Sequence, residues 1–149
     1  MPARDRLHDA VRNALVRDGW TITHDPLRLT SGRRNLYVDL GAERLLAAEK
    51  GALRIAVEVK MFSGPSDVDA LEQAMGQHVL YRALLGAQDP GRMLYLAVPD
   101  DVWNTLFQEP IGETALKHAL DRVICFDPAE ERIVQWTPPV SGETSSNVS

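Results

Sequence analysis

The chain has 149 residues, 44% of them hydrophobic and 25% charged, with a formal net charge of −5. That length suits one domain with its own core, and the composition excludes a wholly disordered chain. The lone Cys125 excludes an internal disulfide, no stretch approaches the ~20 apolar residues of a membrane span, and the charged start is no signal core, so a cytoplasmic protein is expected.

Residues 1–60 carry a charge balance of +3 and residues 61–149 one of −8. The first part therefore suits a polyanion, and the second suits water or a partner. In chain order, residues 4–18 predict a helix with Leu7, Val11, Ala14 and Leu15 on one face, stopped by Gly19. Trp20–Thr23 alternates as a strand that ends at Asp25-Pro26, and Thr30–Asn35 is a turn carrying Arg33 and Arg34. Leu36–Leu40 predicts a second strand, with Tyr37 and Asp39 on the face opposite Leu36, Val38 and Leu40. Residues 42–50 fit either a short helix or an extended segment. Leu53–Phe62 is the clearest strand: Ile55, Val57 and Val59 form an aliphatic face, and Ala56, Glu58 and Lys60 form the other.

Ser63–Ser66 breaks that strand, and Ser66 with Asp69 has the spacing of a helix cap. A long helix then runs to about Leu85, with Val68, Leu71, Met75 and Val79 along one side. Met93–Val98 is a strand, and residues 100–107 and 111–120 are short helices separated by Pro110. Val123–Phe126 and Ile133–Trp136 close the chain as a hairpin around Asp127-Pro128. The Pro-, Ser- and Thr-rich end reads as a tail over 139–149, after a single domain spanning 1–138. This order predicts an α/β fold around a mixed sheet flanked by helices.

Two charged residues on one face of an otherwise aliphatic strand require an explanation, because buried charge is costly unless paired or metal-bound. Glu58 and Lys60 stand on the same side, roughly 6–7 Å apart, near the C-terminal end of their strand. If the strand of Asp39 is its neighbour, Asp39 and Glu58 converge with Lys60 beside them. Two carboxylates, with the Val59 carbonyl as a further oxygen, would suit Mg²⁺ or Mn²⁺, and Lys60 would assist an attacking water or stabilise a phosphate. The plainer alternative is a structural Glu–Lys pair at a strand end with Asp39 in a turn.

An Asp on one strand, a Glu-x-Lys on the next and a long helix after it resemble the PD-(D/E)xK nuclease superfamily, with its restriction-endonuclease-like fold. Asp39, Glu58 and Lys60 match that motif. On the helix, Gln77 and Tyr81 are similar to the Gln-xxx-Tyr signature of its RecB-type branch, which implies a lining of the DNA site, and Gln73 lies one turn earlier on the same face. Many members place a glutamate on the first helix; here that helix offers His8 and Asp9.

A further resemblance runs from Met1 to about Pro138. Pro2–Asp5, Asp18–Pro26, Tyr37–Glu43, Leu45–Lys50, Ala56–Lys60 and Glu109–Gly112 are similar to the XisH family, the fdxN element excision controlling factors. It implies a role in site-specific DNA excision, helping a recombinase together with a small XisI-like companion. Two readings follow: a metal-dependent nuclease, or a non-cleaving accessory that binds DNA or a partner.

The remaining polar residues mostly have ordinary explanations. His8, His24, His78 and His118 lack the i,i+4 pairing of a zinc site, although the superfamily resemblance implies that the first helix packs at the site, which makes His8 a candidate lining residue. Arg12, Arg33 and Arg34 are the candidates for DNA phosphates. Cys125, between Ile124 and Phe126, is expected to be buried and inert. The acidic C-terminal half and exposed Leu106, Phe107 and Ile111 are expected to form a protein-binding surface in a homo-oligomer.

Overall fold

The computed structural model describes residues 3–47, 51–62 and 66–140. Helix α1 (Ala3–Arg17) buries Ala10, Val11, Ala14 and Leu15 at helical spacing. Gly19 then takes φ 92°, a left-handed conformation that a side chain would strain, and turns the chain into β1 (Thr21–His24). A ribbon of β2 (Leu27–Ser31) and β3 (Arg34–Val38) follows, then β4 (Leu40–Ala47) and β5 (Gly51–Val59). Helix α2 (Asp67–Gln88) starts at Ser66, whose hydroxyl accepts the N–H of Asp69 at 3.1 Å. Beyond it come β6 (Arg92–Pro99), α3 (Asp100–Trp103), a 3-10 turn over Leu106–Gln108, and α4 (Pro110–His118). The hairpin of β7 (Val123–Asp127) and β8 (Arg132–Thr137) follows.

Among the described residues, six strands form one sheet in the order β1-β4-β5-β6-β7-β8. The central β5, β6 and β7 are parallel and the flanking pairs are antiparallel, so helices make the crossovers between the central strands. Helix α1 covers one face, where Leu15 and Trp20 pack with Ile55, Val57, Phe126 and Trp136. Helices α2 and α4 and the β2–β3 ribbon cover the other face, where Leu71 packs with Leu96 and Phe107, and Tyr81 with Leu29, Val38 and Ala56. This is the mixed, helix-flanked sheet that the sequence predicts, in a restriction-endonuclease-like arrangement. The alternation on β5 is as expected, with Ile55 and Val57 towards α1 and Ala56 towards α2. Cys125 is buried, and burial, followed by the charges of Asp100 and Asp127, pushes its thiol up to about 11.

Several elements differ from expectation. Leu27–Ser31 is a strand with Leu27 and Leu29 buried and Arg28 between them exposed; Thr30-Ser31-Gly32 has turn composition, which leaves only Leu27-Arg28-Leu29 after Pro26 as a strand signal. The turn shrinks to Gly32 and Arg33 at the ribbon tip, and the ambiguous 42–50 stretch is strand as far as Ala47. On α2 the buried line is Leu71, Ala74, His78, Tyr81 and Leu85, whereas Val68 and Val79 are exposed. Hydrophobicity alone misplaces that face because His78 and Tyr81 are buried through hydrogen bonds. Leu106 and Phe107 are also buried, at 4% and 1% exposure, since the 3-10 turn folds them beneath α4. They form no surface, and only Ile111 of that expected trio is exposed. Val140 packs into the α1 core. Residues 48–50 of the ambiguous stretch, 63–65 of the expected break and 141–149 of the expected tail lie outside the described residues.

His78 is 3% exposed, and its Nε2 shares a hydrogen bond with Asp121 Oδ1 at 3.1 Å. Arg82 donates to the same oxygen at 2.8 Å. Burial pushes the imidazole below its ordinary 6.5, and Asp121 only partly opposes this. The unfolded chain therefore takes up a proton that the native chain resists, so His78 stabilises the fold above about pH 6.5 and the contribution fades as pH falls. The urea midpoint should drop between about pH 7 and about pH 5, and His78→Gln should flatten that drop. Equal slopes in the two proteins would contradict this account. Gly112 supplies a second test. A Cβ there would strike the backbone of Leu106 and Phe107, so Gly112→Ala should cost roughly 1–3 kcal/mol and lower Tm by several degrees.

Candidate functional site

The site begins at a break in a strand. Val38 ends β3 and pairs with Leu27, whereas Leu40 opens β4 and pairs with Val57 on β5. Asp39 is the joint between the two, outside either ladder. The single Leu36–Leu40 strand expected from alternation is therefore two strands in different layers. The register places Asp39 beside Glu58, and the two residues are tied. The Asp39 N–H donates to Glu58 Oε1 at 3.2 Å, and the Val59 N–H donates to Asp39 Oδ2 at 2.8 Å. Both residues are half-buried.

Lys60 lies one residue past β5. Its N–H donates to the Ala97 carbonyl at 3.0 Å, extending the ladder with β6, and its ammonium donates to Gln73 Oε1 at 3.4 Å. On the same α2 face, Gln77 Nε2 donates to the Tyr81 hydroxyl at 3.1 Å. Burial pushes the Tyr81 phenol up; the Gln77 hydrogen bond opposes this, and the charges of Glu58 and Asp39 add to it. Tyr81 therefore keeps its proton at neutral pH and senses both carboxylates. Asp39, Glu58, Val59, Lys60, Gln73, Gln77 and Tyr81 thus gather around the end of β5.

A cavity of about 210 Å³ opens beside Asp39, lined by Asp5, Leu7, His8, Val59 and Met61. His8 lines it, and its Nε2 is held at 2.8 Å by Asp25 Oδ1. Asp5 is the acidic residue of α1 that the sequence reading missed; Asp9, named there, lines a neighbouring cavity instead. The available signal was spacing, because Asp5 and His8 stand at i,i+3 and share a helix face. Arg12 is ion-paired with Asp25. Arg33 and Arg34 are exposed at the ribbon tip, and Arg34 lies roughly 17 Å along the strand from Asp39.

The donor set suits a hard divalent cation. The carboxylate oxygens of Asp39 and Glu58 are hard donors, and Mg²⁺ commonly uses one or two carboxylates and keeps several waters. Among the described residues, no group of three or more His, Cys, Asp or Glu is placed to hold an ion. Water or substrate oxygens would have to complete the shell around Asp39 and Glu58. Among those residues, too, no helix is long and apolar enough to cross a membrane.

The XisH protein family model matches residues 1–134. The solved structure of an XisH family protein from Nostoc punctiforme PCC 73102 is 37% identical, with a TM-score of 0.80, over 89% of this chain and 99% of that one. A fdxN element excision controlling factor protein from Anabaena variabilis is 38% identical, also with a TM-score of 0.80, over 90% of this chain and 99% of that one. No curated protein matches the chain. A family match across most of the sequence, and two relatives that share both sequence and fold, make this chain a member of the XisH family.

Proposed function

We propose that this XisH-family chain acts in DNA excision as a divalent-metal-dependent endodeoxyribonuclease of the PD-(D/E)xK type. The observation that carries the reading is Asp39 at the β3–β4 break, tied across to Glu58 and Val59 with Lys60 alongside. The excision role is supported by the Anabaena relative, which is named for control of fdxN element excision. Mg²⁺ or Mn²⁺ held by Asp39 and Glu58, with the Val59 carbonyl nearby, would supply Lewis-acid stabilisation of phosphoryl charge and a more acidic water.

The chain's own groups do the rest. The backbone hydrogen bonds fix one oxygen of each carboxylate, so both are oriented before a substrate arrives. Lys60 places positive charge where phosphoryl oxygens gain negative charge, and Gln73 restrains its ammonium. Tyr81 accepts from Gln77 and keeps its own proton to offer to a DNA phosphate. Arg33 and Arg34 on the ribbon, with Arg12 on α1, extend the phosphate contacts. An XisI-like companion, a recombinase and a second copy of the chain complete the proposed assembly.

The second reading is a non-cleaving accessory that binds DNA or a partner. It is favoured by the absence of a third metal-binding side chain among the described residues. In that case the carboxylates serve to pin β4 against β5.

The two readings separate in a cleavage assay on linear, supercoiled and branched DNA. Under the nuclease reading, Asp39→Asn and Glu58→Gln lose at least about 100-fold in Mg²⁺- or Mn²⁺-dependent cleavage, and Lys60→Ala loses a similar factor. The amide replacements keep an oxygen for the backbone N–H groups, so Tm should change little. A wild type that cuts none of these substrates, alongside a Glu58→Gln variant that only loses stability, would establish the accessory reading.

A further inference from the structure

We propose that the cavity at the C-terminal ends of β5 and β6 is a docking site for a cationic, apolar segment of a partner protein. The cavity measures about 580 Å³, enough for two or three side chains, and lies beyond the carboxyl ends of parallel strands, where sheets of this kind usually bind their ligands. Leu7, Met61, Phe62 and Val102 give it an apolar wall, closed by Pro99 and Pro128. Met61 is 36% exposed, and its flexible thioether adapts to whatever packs on it.

Charge selects the occupant. The lining carries three carboxylates, Asp9, Asp101 and Glu131, against the single guanidinium of Arg6. Asp101 accepts from the Val102 N–H at 2.9 Å and Glu131 accepts from Asn13 Nδ2 at 3.2 Å. Those donors are uncharged; they fix the carboxylates without cancelling their charge. An apolar floor under a net negative rim disfavours a nucleobase, which would bring its own phosphates, and favours lysine or arginine alternating with leucine-sized side chains. The excess of −8 over residues 61–149 points the same way.

The position of the cavity gives the docked segment a consequence. Leu7 and Met61 line both this cavity and the smaller one containing Asp39 and His8, so an occupant rests against side chains shared with the candidate metal site. The docking claim itself does not depend on DNA cleavage.

The test uses the whole chain, a short peptide alternating lysine and leucine, its glutamate–leucine counterpart and an oligothymidine. The Met61 methyl signal in ¹³C-methionine-labelled protein reports occupancy, and calorimetry gives the affinity. The lysine peptide should shift that signal and bind, and the glutamate peptide should do neither. Asp9→Asn/Asp101→Asn/Glu131→Gln should weaken the lysine peptide about tenfold without changing Tm. Asp39→Asn should bind it as wild type does, so a failure of the nuclease reading leaves this result standing. Oligothymidine shifting Met61 and competing with the peptide would overturn the proposal in favour of a base pocket. A lysine peptide that leaves Met61 unmoved, or binds the neutralised variant equally well, would overturn it too.

Discussion

The site depends on two hydrogen bonds at one corner of the sheet. Val59 N–H donates to Asp39, and Asp39 N–H donates to Glu58. Together they satisfy two backbone donors at a place where the β4–β5 ladder is ending and where Asp39 has left the β2–β3 ribbon. A buried N–H without a partner costs about 1–3 kcal/mol, so the carboxylates serve the fold whether or not they serve the proposed chemistry. The same contacts hold two negative groups side by side. This arrangement is unfavourable by itself and becomes favourable when a cation or a polar donor is nearby.

The rest of the molecule supports that corner. Parallel β5, β6 and β7 require helical crossovers, and the first of these brings α2 across the face that carries Glu58. Gln73, Gln77 and Tyr81 therefore arrive on one stripe of α2. Helix α1 packs on the opposite face through Val11 and Leu15, and its first two turns deliver Asp5 and His8 to the cavity beside Asp39. Two helices on opposite faces thus meet at the strand end from both sides. Farther along the same edge lies the acidic, apolar cavity, with Leu7 and Met61 shared between the two spaces.

Much of this was readable from residue types and spacing. Strong alternation on β5 gave both its faces, and it marked Glu58 and Lys60 as charges that needed partners. Gly19, Ser66 and Asp69 marked helix ends that hold in the structure. The failures have physical causes. The ribbon strand Leu27–Ser31 ends in Thr30-Ser31-Gly32, whose composition is that of a turn, and the break at Asp39 leaves no trace in a pattern that continues smoothly from Leu36 to Leu40. The α2 face was misplaced because His78 is buried by its hydrogen bond to Asp121, which depends on a residue 43 positions away. The i,i+3 spacing puts Asp5 on the face of His8, but only the packing of α1 shows that this face meets the strand end.

The central claim is that Asp39 and Glu58 form one cation site. Anomalous diffraction at the manganese edge, on crystals soaked in Mn²⁺, tests it directly, without relying on turnover or a correct DNA substrate. The account predicts one dominant peak roughly 2.0–2.2 Å from an oxygen of each carboxylate, lost in Asp39→Asn. No peak at that corner at saturating Mn²⁺, or a peak held by other residues, would contradict it.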